Sequence, residues 1–168
     1  MPLSIRWDLG TDAAHELATA LNALLADLFA LLVKTKGARW HTSGPCLLAH
    51  RQLLSEMEAQ AEAAIEGLAE RVRRIGEPTV DSLGKICRLH RLRKNRVACP
   101  STPEMLDELL SDNLQLAAFL REAHALCEGH GDVATAIHLQ KWIDEAEGRI
   151  RYLFETRHPG GNFGSAID

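Results

Sequence analysis

Residues 37–45 read GARWHTSGP. The stretch closes one long apolar segment and opens another, and its reading decides the fold. Taken as a turn between two helices, it makes the first half of the chain a helical hairpin. Upstream, Leu17, Leu21, Leu24, Leu28, Leu31 and Leu32 recur at helical spacing and form a wide apolar stripe. Thr11 or Asp12 supplies an N-cap, so the first helix is expected from there to about Arg39. Downstream, a second helix is expected from about Ser43 to Ile75. Pro45 is tolerated in its first turn, and Gly76 and Pro78 provide the stop.

The second half repeats the pattern. Thr102–Pro103–Glu104 reads as an N-cap followed by proline at the first helical position. The seam behind it, Leu106, Leu110, Asn113, Ala117, Leu120, His124 and Cys127, alternates steps of four and three, as packed antiparallel helices require. GHGD at 129–132 interrupts that helix, and Asp132 caps a fourth, with Val133, Ile137, Ile143, Ala146, Ile150 and Leu153 as its apolar side. The link between the second and third helices is too long for a simple bundle loop. Its middle, DSLGKICRLHRLRKN (81–95), reads as a short amphipathic helix capped by Asp81 or Ser82. The expectation is an all-α four-helix bundle with a short extra helix in one long crossover. A single domain over residues 1–168 is expected, with its core at about 12–157 and a glycine-rich, mobile tail expected at 158–168, which lies outside the residues the structure describes.

Composition agrees. Hydrophobic residues are 46% and aromatics only 5%, with glycine and proline confined to a few places, which suits bundles rather than sandwiches or barrels. A net charge of −4 argues against a basic nucleic-acid binder overall. Cys46, Cys87, Cys99 and Cys127 form no CxxC pair, so neither a disulfide framework nor a zinc ribbon is expected. The N-terminus lacks a signal-peptide pattern, and no apolar run reads as long enough to span a bilayer, so a cytoplasmic protein is expected.

Four glutamates of the second helix, Glu58, Glu62, Glu66 and Glu70, stand at successive i+4 positions and need counter-charges. One reading is a solvated face relieved by Arg71, Arg73 and Arg74. The other is a carboxylate metal face of the sort helix bundles build, with Arg51 and Ser55 continuing the same face.

At these residues the chain resembles the Dps family, the small twelve-subunit members of the ferritin superfamily. LNALLADLFALLVKTK (21–36) is similar to the family's first helix, and RWHTSGP (39–45) to its His-Trp-x-x-x-Gly-Pro pattern except at the first residue. EGLAERV (66–72) resembles its Asp-x-x-Ala-Glu-Arg segment, and GDVATAIHLQKWIDEAEGRIRYL (131–153) its last helix. The resemblance covers roughly residues 12–157. It implies a hollow dodecamer, a homo-oligomer that oxidises and stores iron and shields DNA. Its iron-oxidising centre lies between two subunits, two histidines and a carboxylate on one side facing two acids on the other. Carried onto this chain, those positions are Arg39, Arg51 and Ser55, facing Glu66 and Glu70. A guanidinium offers no lone pair and stays protonated, so neither arginine can ligate a metal. The resemblance therefore leads to a degenerate centre in which Arg39 and Arg51 pair with Glu66 and Glu70 of a neighbour.

Other residues offer weaker chemistry. Cys46 and His50 share an i+4 face, a half-site for zinc or iron; with Glu62, Glu66 and Glu70 they complete the set of metal-ligating candidates. Cys87, His90 and Cys99 lack a fourth ligand, and Glu155 with His158 lies at a fraying end. His41 reads as loop or interface, His124 as a hydrogen-bonded core histidine and Trp142 as packing. For DNA, the terminal segments lack lysine-rich tails, which leaves Lys85, Arg88, Arg91, Arg93, Lys94 and Arg96 as a basic run that either pairs with acids, solvates a helix face or meets phosphate. Two functions follow: a Dps-like shell of the iron-handling, stress-protection class, or a catalytically silent structural or DNA-binding oligomer held by Arg–Glu pairs, cytoplasmic or nucleoid-associated.

Overall fold

The computed structural model describes residues 9–93 and 99–157. It contains α1 (Thr11–His41), α2 (Leu47–Arg74), α3 (Leu83–Leu89), α4 (Thr102–His130) and α5 (Val133–Arg157), with no strand among the described residues. Contacts across the bundle fix its topology. Arg39 meets Glu58, Gln60 meets Arg149 and Asn113 meets Arg149, so α1/α2, α2/α5 and α4/α5 run antiparallel. Ser43 and Thr102 exchange hydrogen bonds at one end, which sets α4 antiparallel to α1 as well. The crossover between α2 and α4 therefore travels the length of the bundle, carrying α3 against α1.

The core is built from the expected stripes. Leu17, Leu21, Leu24, Leu28 and Leu31 of α1 are buried against Leu54, Leu68, Leu106, Leu109, Leu116, Leu120 and Leu139. By length and hydropathy α1 passes for a membrane span, contrary to the sequence expectation, but half of its apolar window is buried inside the bundle. Its apolarity serves the core.

Several helix ends differ from those expected from the sequence. The N-cap of α1 is Gly10, not Thr11 or Asp12, and has no side-chain cap bond. For α4 the cap is Ser101, whose hydroxyl accepts from Glu104 N while the Glu104 carboxylate accepts from Ser101 N, a full capping box that places Thr102 inside the helix. The start of α2 moves from Ser43 to Leu47, because Gly44 takes φ 102° and turns the chain before the helix can form. Ser82 caps α3 and accepts from Lys85 N, as expected.

The apolar side of α5 is also shifted. Val133 (66% exposed) and Ile137 (59%) face outward, whereas Thr135, Ala136, Leu139, Trp142, Ala146, Ile150 and Leu153 turn inward. Two contacts set that phase. Trp142 lies on α2 where Gly67 has no side chain; a Cβ there would sit 2.6 Å from the indole Cζ2. Arg149 enters the core, donating to Asn113 Oδ1 (2.7 Å) and Gln60 Oε1 (2.9 Å). Burial pulls its pKa down to about 10, which leaves it charged at neutral pH.

Candidate functional site

The face formed by α1 and α2 carries the expected site positions, and its charges are arranged within the chain. Arg39 donates from Nε to Glu58 Oε1 at 2.6 Å and from a second guanidinium nitrogen to Glu58 Oε2 at 3.3 Å, a two-pronged pair. One helical turn earlier, Lys36 donates to Glu58 Oε2 and also pairs with Glu62, both at 3.1 Å. Glu58 is only 6% exposed. Burial works to raise its carboxyl, but the hydrogen bonds from Arg39 and Lys36 outweigh burial and hold it below the usual glutamate range.

The acidic ladder splits because residues four apart drift by about 40° per step around a helix of 3.6 residues per turn. Glu58 is turned in against α1, while Glu62, Glu66 and Glu70 are exposed. Glu70 meets Arg74 at 3.4 Å, a pair between exposed groups. Arg51 and Ser55 are exposed on the same helix. The structure thus places Arg39 on Glu58 of its own chain, away from Glu66 and Glu70. Lys36 and Glu58 are the participants that the family positions did not bring forward, although Lys36 and Arg39 stand three apart on α1 and Glu58 heads the ladder.

What can this arrangement do chemically? Arg39 is permanently protonated and already paired, and its guanidinium has no lone pair to offer a metal. Among the described residues no three His, Cys, Asp or Glu side chains converge to hold one metal ion. Cys46 is exposed and ends α1–α2 turn geometry through its carbonyl, which accepts from His50 N at 3.0 Å. His50 Nδ1 is buried without a hydrogen-bond partner, so the two supply at most a pair of donors. Cys87 and Cys99 are exposed and His90 is half-buried. His124 is half-buried and bonded to Gln140, and His158 lies outside the described residues.

The basic run is partly consumed by the fold. Asp27, fully buried in α1, accepts from Arg91 N at 2.5 Å and from its guanidinium at 2.7 and 3.0 Å. The same guanidinium lies 3.8 Å from the centre of the Phe119 ring. Arg91 is therefore a structural anchor, paired with an acid of its own chain. Lys85 pairs with Asp81 at 2.9 Å. Arg88 and Arg93 are exposed, and Lys94 and Arg96 lie outside the described residues.

An antiparallel bundle with one long helical crossover is a ferritin-type bundle. The profile of the ferritin-like domain matches residues 18–156. A low temperature-induced protein of Nostoc is 35% identical over 102 residues, 61% of this chain and 57% of that protein's length. The chain thus spans a little over half of that relative. A DNA protection during starvation protein of Agrobacterium fabrum is 28% identical over 77% of this chain and 80% of its own. The crystal structure of Dps from Thermosynechococcus elongatus superposes with a TM-score of 0.84 at 17% identity, covering 93% of this chain and 98% of that one. The chain belongs to the ferritin-like family and is similar in fold to Dps proteins.

Proposed function

We propose that this chain forms a cytoplasmic, dodecameric Dps-type shell that takes up iron but oxidises it slowly, because guanidinium groups stand where the inter-subunit centre needs neutral ligands. The observation that supports this reading is the Arg39–Glu58 pair at 2.6 Å. Substituting a lone-pair donor with a paired cation removes one ligand and adds a positive charge that repels Fe(II). Arg51 adds a second cation at the second ligand position, and Ser55 removes a carboxylate. Glu66 and Glu70 keep the acidic half of the interface and remain able to attract cations or to meet Arg51 of a neighbouring subunit.

Iron here is cargo and substrate, and its binding and its oxidation are separate properties. The exposed apolar residues of this face, Val33 (68%), Trp40 (65%) and Leu48 (84%), support its burial against another copy. The test is light scattering of the purified protein followed by ferrous loading of the assembled species. A mass near twelve chains with iron retained through gel filtration supports the reading. A monomer, or a shell that retains no iron, contradicts it. The alternative, a DNA-coating oligomer, draws less support because Arg91 and Lys85 are already paired.

A further inference from the structure

Arg149 is a buried charge with no opposite charge beside it. It lies in the second half of α5, 5% exposed, where α2, α4 and α5 meet. Its partners are two side-chain amides: Nε donates to Asn113 Oδ1 at 2.7 Å and a second guanidinium nitrogen to Gln60 Oε1 at 2.9 Å. Asn113 is wholly buried, and its amide fits in one orientation only, because Nδ2 donates to Leu109 O at 2.8 Å. Among the described residues no carboxylate comes within ion-pair distance of Arg149. Glu145, one turn earlier on α5, pairs with Lys141 at 3.7 Å.

Such an arrangement is a poor source of stability. A cation held by neutral oxygens gives up its hydration and recovers less than it would from a carboxylate. Apolar side chains of similar volume commonly replace buried charges without loss. What the network supplies is direction. Over its first half α5 is ambiguous: Ala136, Leu139 and Trp142 form the face that is buried, while Val133, Ile137 and the half-buried Ile143 form a second apolar face about 100° around the helix. Turning the second face inward would bury Val133 and Ile137, but it would carry Arg149 off both amide oxygens. The contact of Trp142 with Gly67 favours the same rotation, yet displacing it loses packing alone. A displaced guanidinium is left buried and unpaired, which costs far more.

We infer that Arg149, Asn113 and Gln60 form a rotation lock, which selects one of two apolar faces of α5 and adds nothing to stability. The lock is built within one chain and is independent of the iron chemistry proposed above.

The test replaces the network by apolar residues of similar volume, Gln60→Leu, Asn113→Leu and Arg149→Met together, in the full-length protein. The urea midpoint is expected to equal or exceed the native one, while amide exchange over residues 133–157 quickens at least roughly tenfold. A second variant adds Val133→Gln and Ile137→Gln, which abolish the competing face, and native exchange is expected to return. A residue that only fills space would give no such rescue. A lower urea midpoint in the triple variant, failure to fold included, makes the network a stabiliser and overturns the inference. Unchanged exchange overturns it too, as does fast exchange that Val133→Gln and Ile137→Gln leave uncorrected.

Discussion

Arg39 and Glu58 form a two-pronged ion pair between α1 and α2, with Nε and Oε1 2.6 Å apart and the carboxylate almost wholly buried. The pair has a consequence for stability as well as for chemistry. Glu58→Gln removes the negative charge and one of the two oxygens that accept from Arg39 and Lys36, and is expected to destabilise the protein by about 1–3 kcal/mol. The pH dependence follows from the lowered carboxyl of Glu58. The unfolded chain takes up this proton first as pH falls, so the contribution is complete above the ordinary glutamate range and is withdrawn below it. Urea unfolding at neutral pH is expected to separate native and Glu58→Gln proteins clearly, and the gap is expected to close in strong acid. A gap independent of pH would assign the effect to packing alone.

Gly67 and Trp142 make a packing prediction. A methyl group at Gly67 would approach the indole to 2.6 Å, closer than van der Waals contact allows. Gly67→Ala is therefore expected to cost about 1–3 kcal/mol despite alanine's better helix propensity. Combining it with Trp142→Phe is expected to recover part of that loss, read as a coupling in a double-mutant cycle of thermal melts. Strict additivity would show that the indole moves aside freely.

The crossover is pinned by Arg91, not decorated by it. Arg91→Met strands the buried Asp27 carboxylate, whose pKa burial already pushes upward, and is expected to lower stability by roughly 1–3 kcal/mol. Arg88→Ala and Arg93→Ala, at exposed positions, are expected to stay within about 0.5 kcal/mol of the native protein. Amide exchange over residues 83–93 locates the effect. If Arg91→Met leaves exchange unchanged there, the anchor is not holding the crossover.

The bundle was legible because leucines at steps of three and four can satisfy only one periodicity, and because each break between helices carries glycine, proline or a capping side chain. What escaped was phase and partnership. Val133 and Ile137 look like the start of an apolar face, but Trp142 on Gly67 and Arg149 on Asn113 rotate α5 so that both face outward. The acidic ladder reads as one face, yet the helix's own drift sends Glu58 inward and Glu70 outward. Arg39 was recognisable as the wrong residue for a metal. Its partner was not, since the residue it meets lies nineteen positions away on another helix.

Ferrous oxidation by the assembled protein tests the central claim most directly. Fe(II) is added anaerobically, oxygen and then peroxide are admitted, and ferric absorbance is followed against a protein-free control and an Arg39→His/Arg51→His/Ser55→Asp variant of the same size. A native rate close to the control, with faster oxidation in the variant, is the predicted result. A native rate well above the control would show that the shell oxidises iron in spite of its guanidinium groups and would contradict the account.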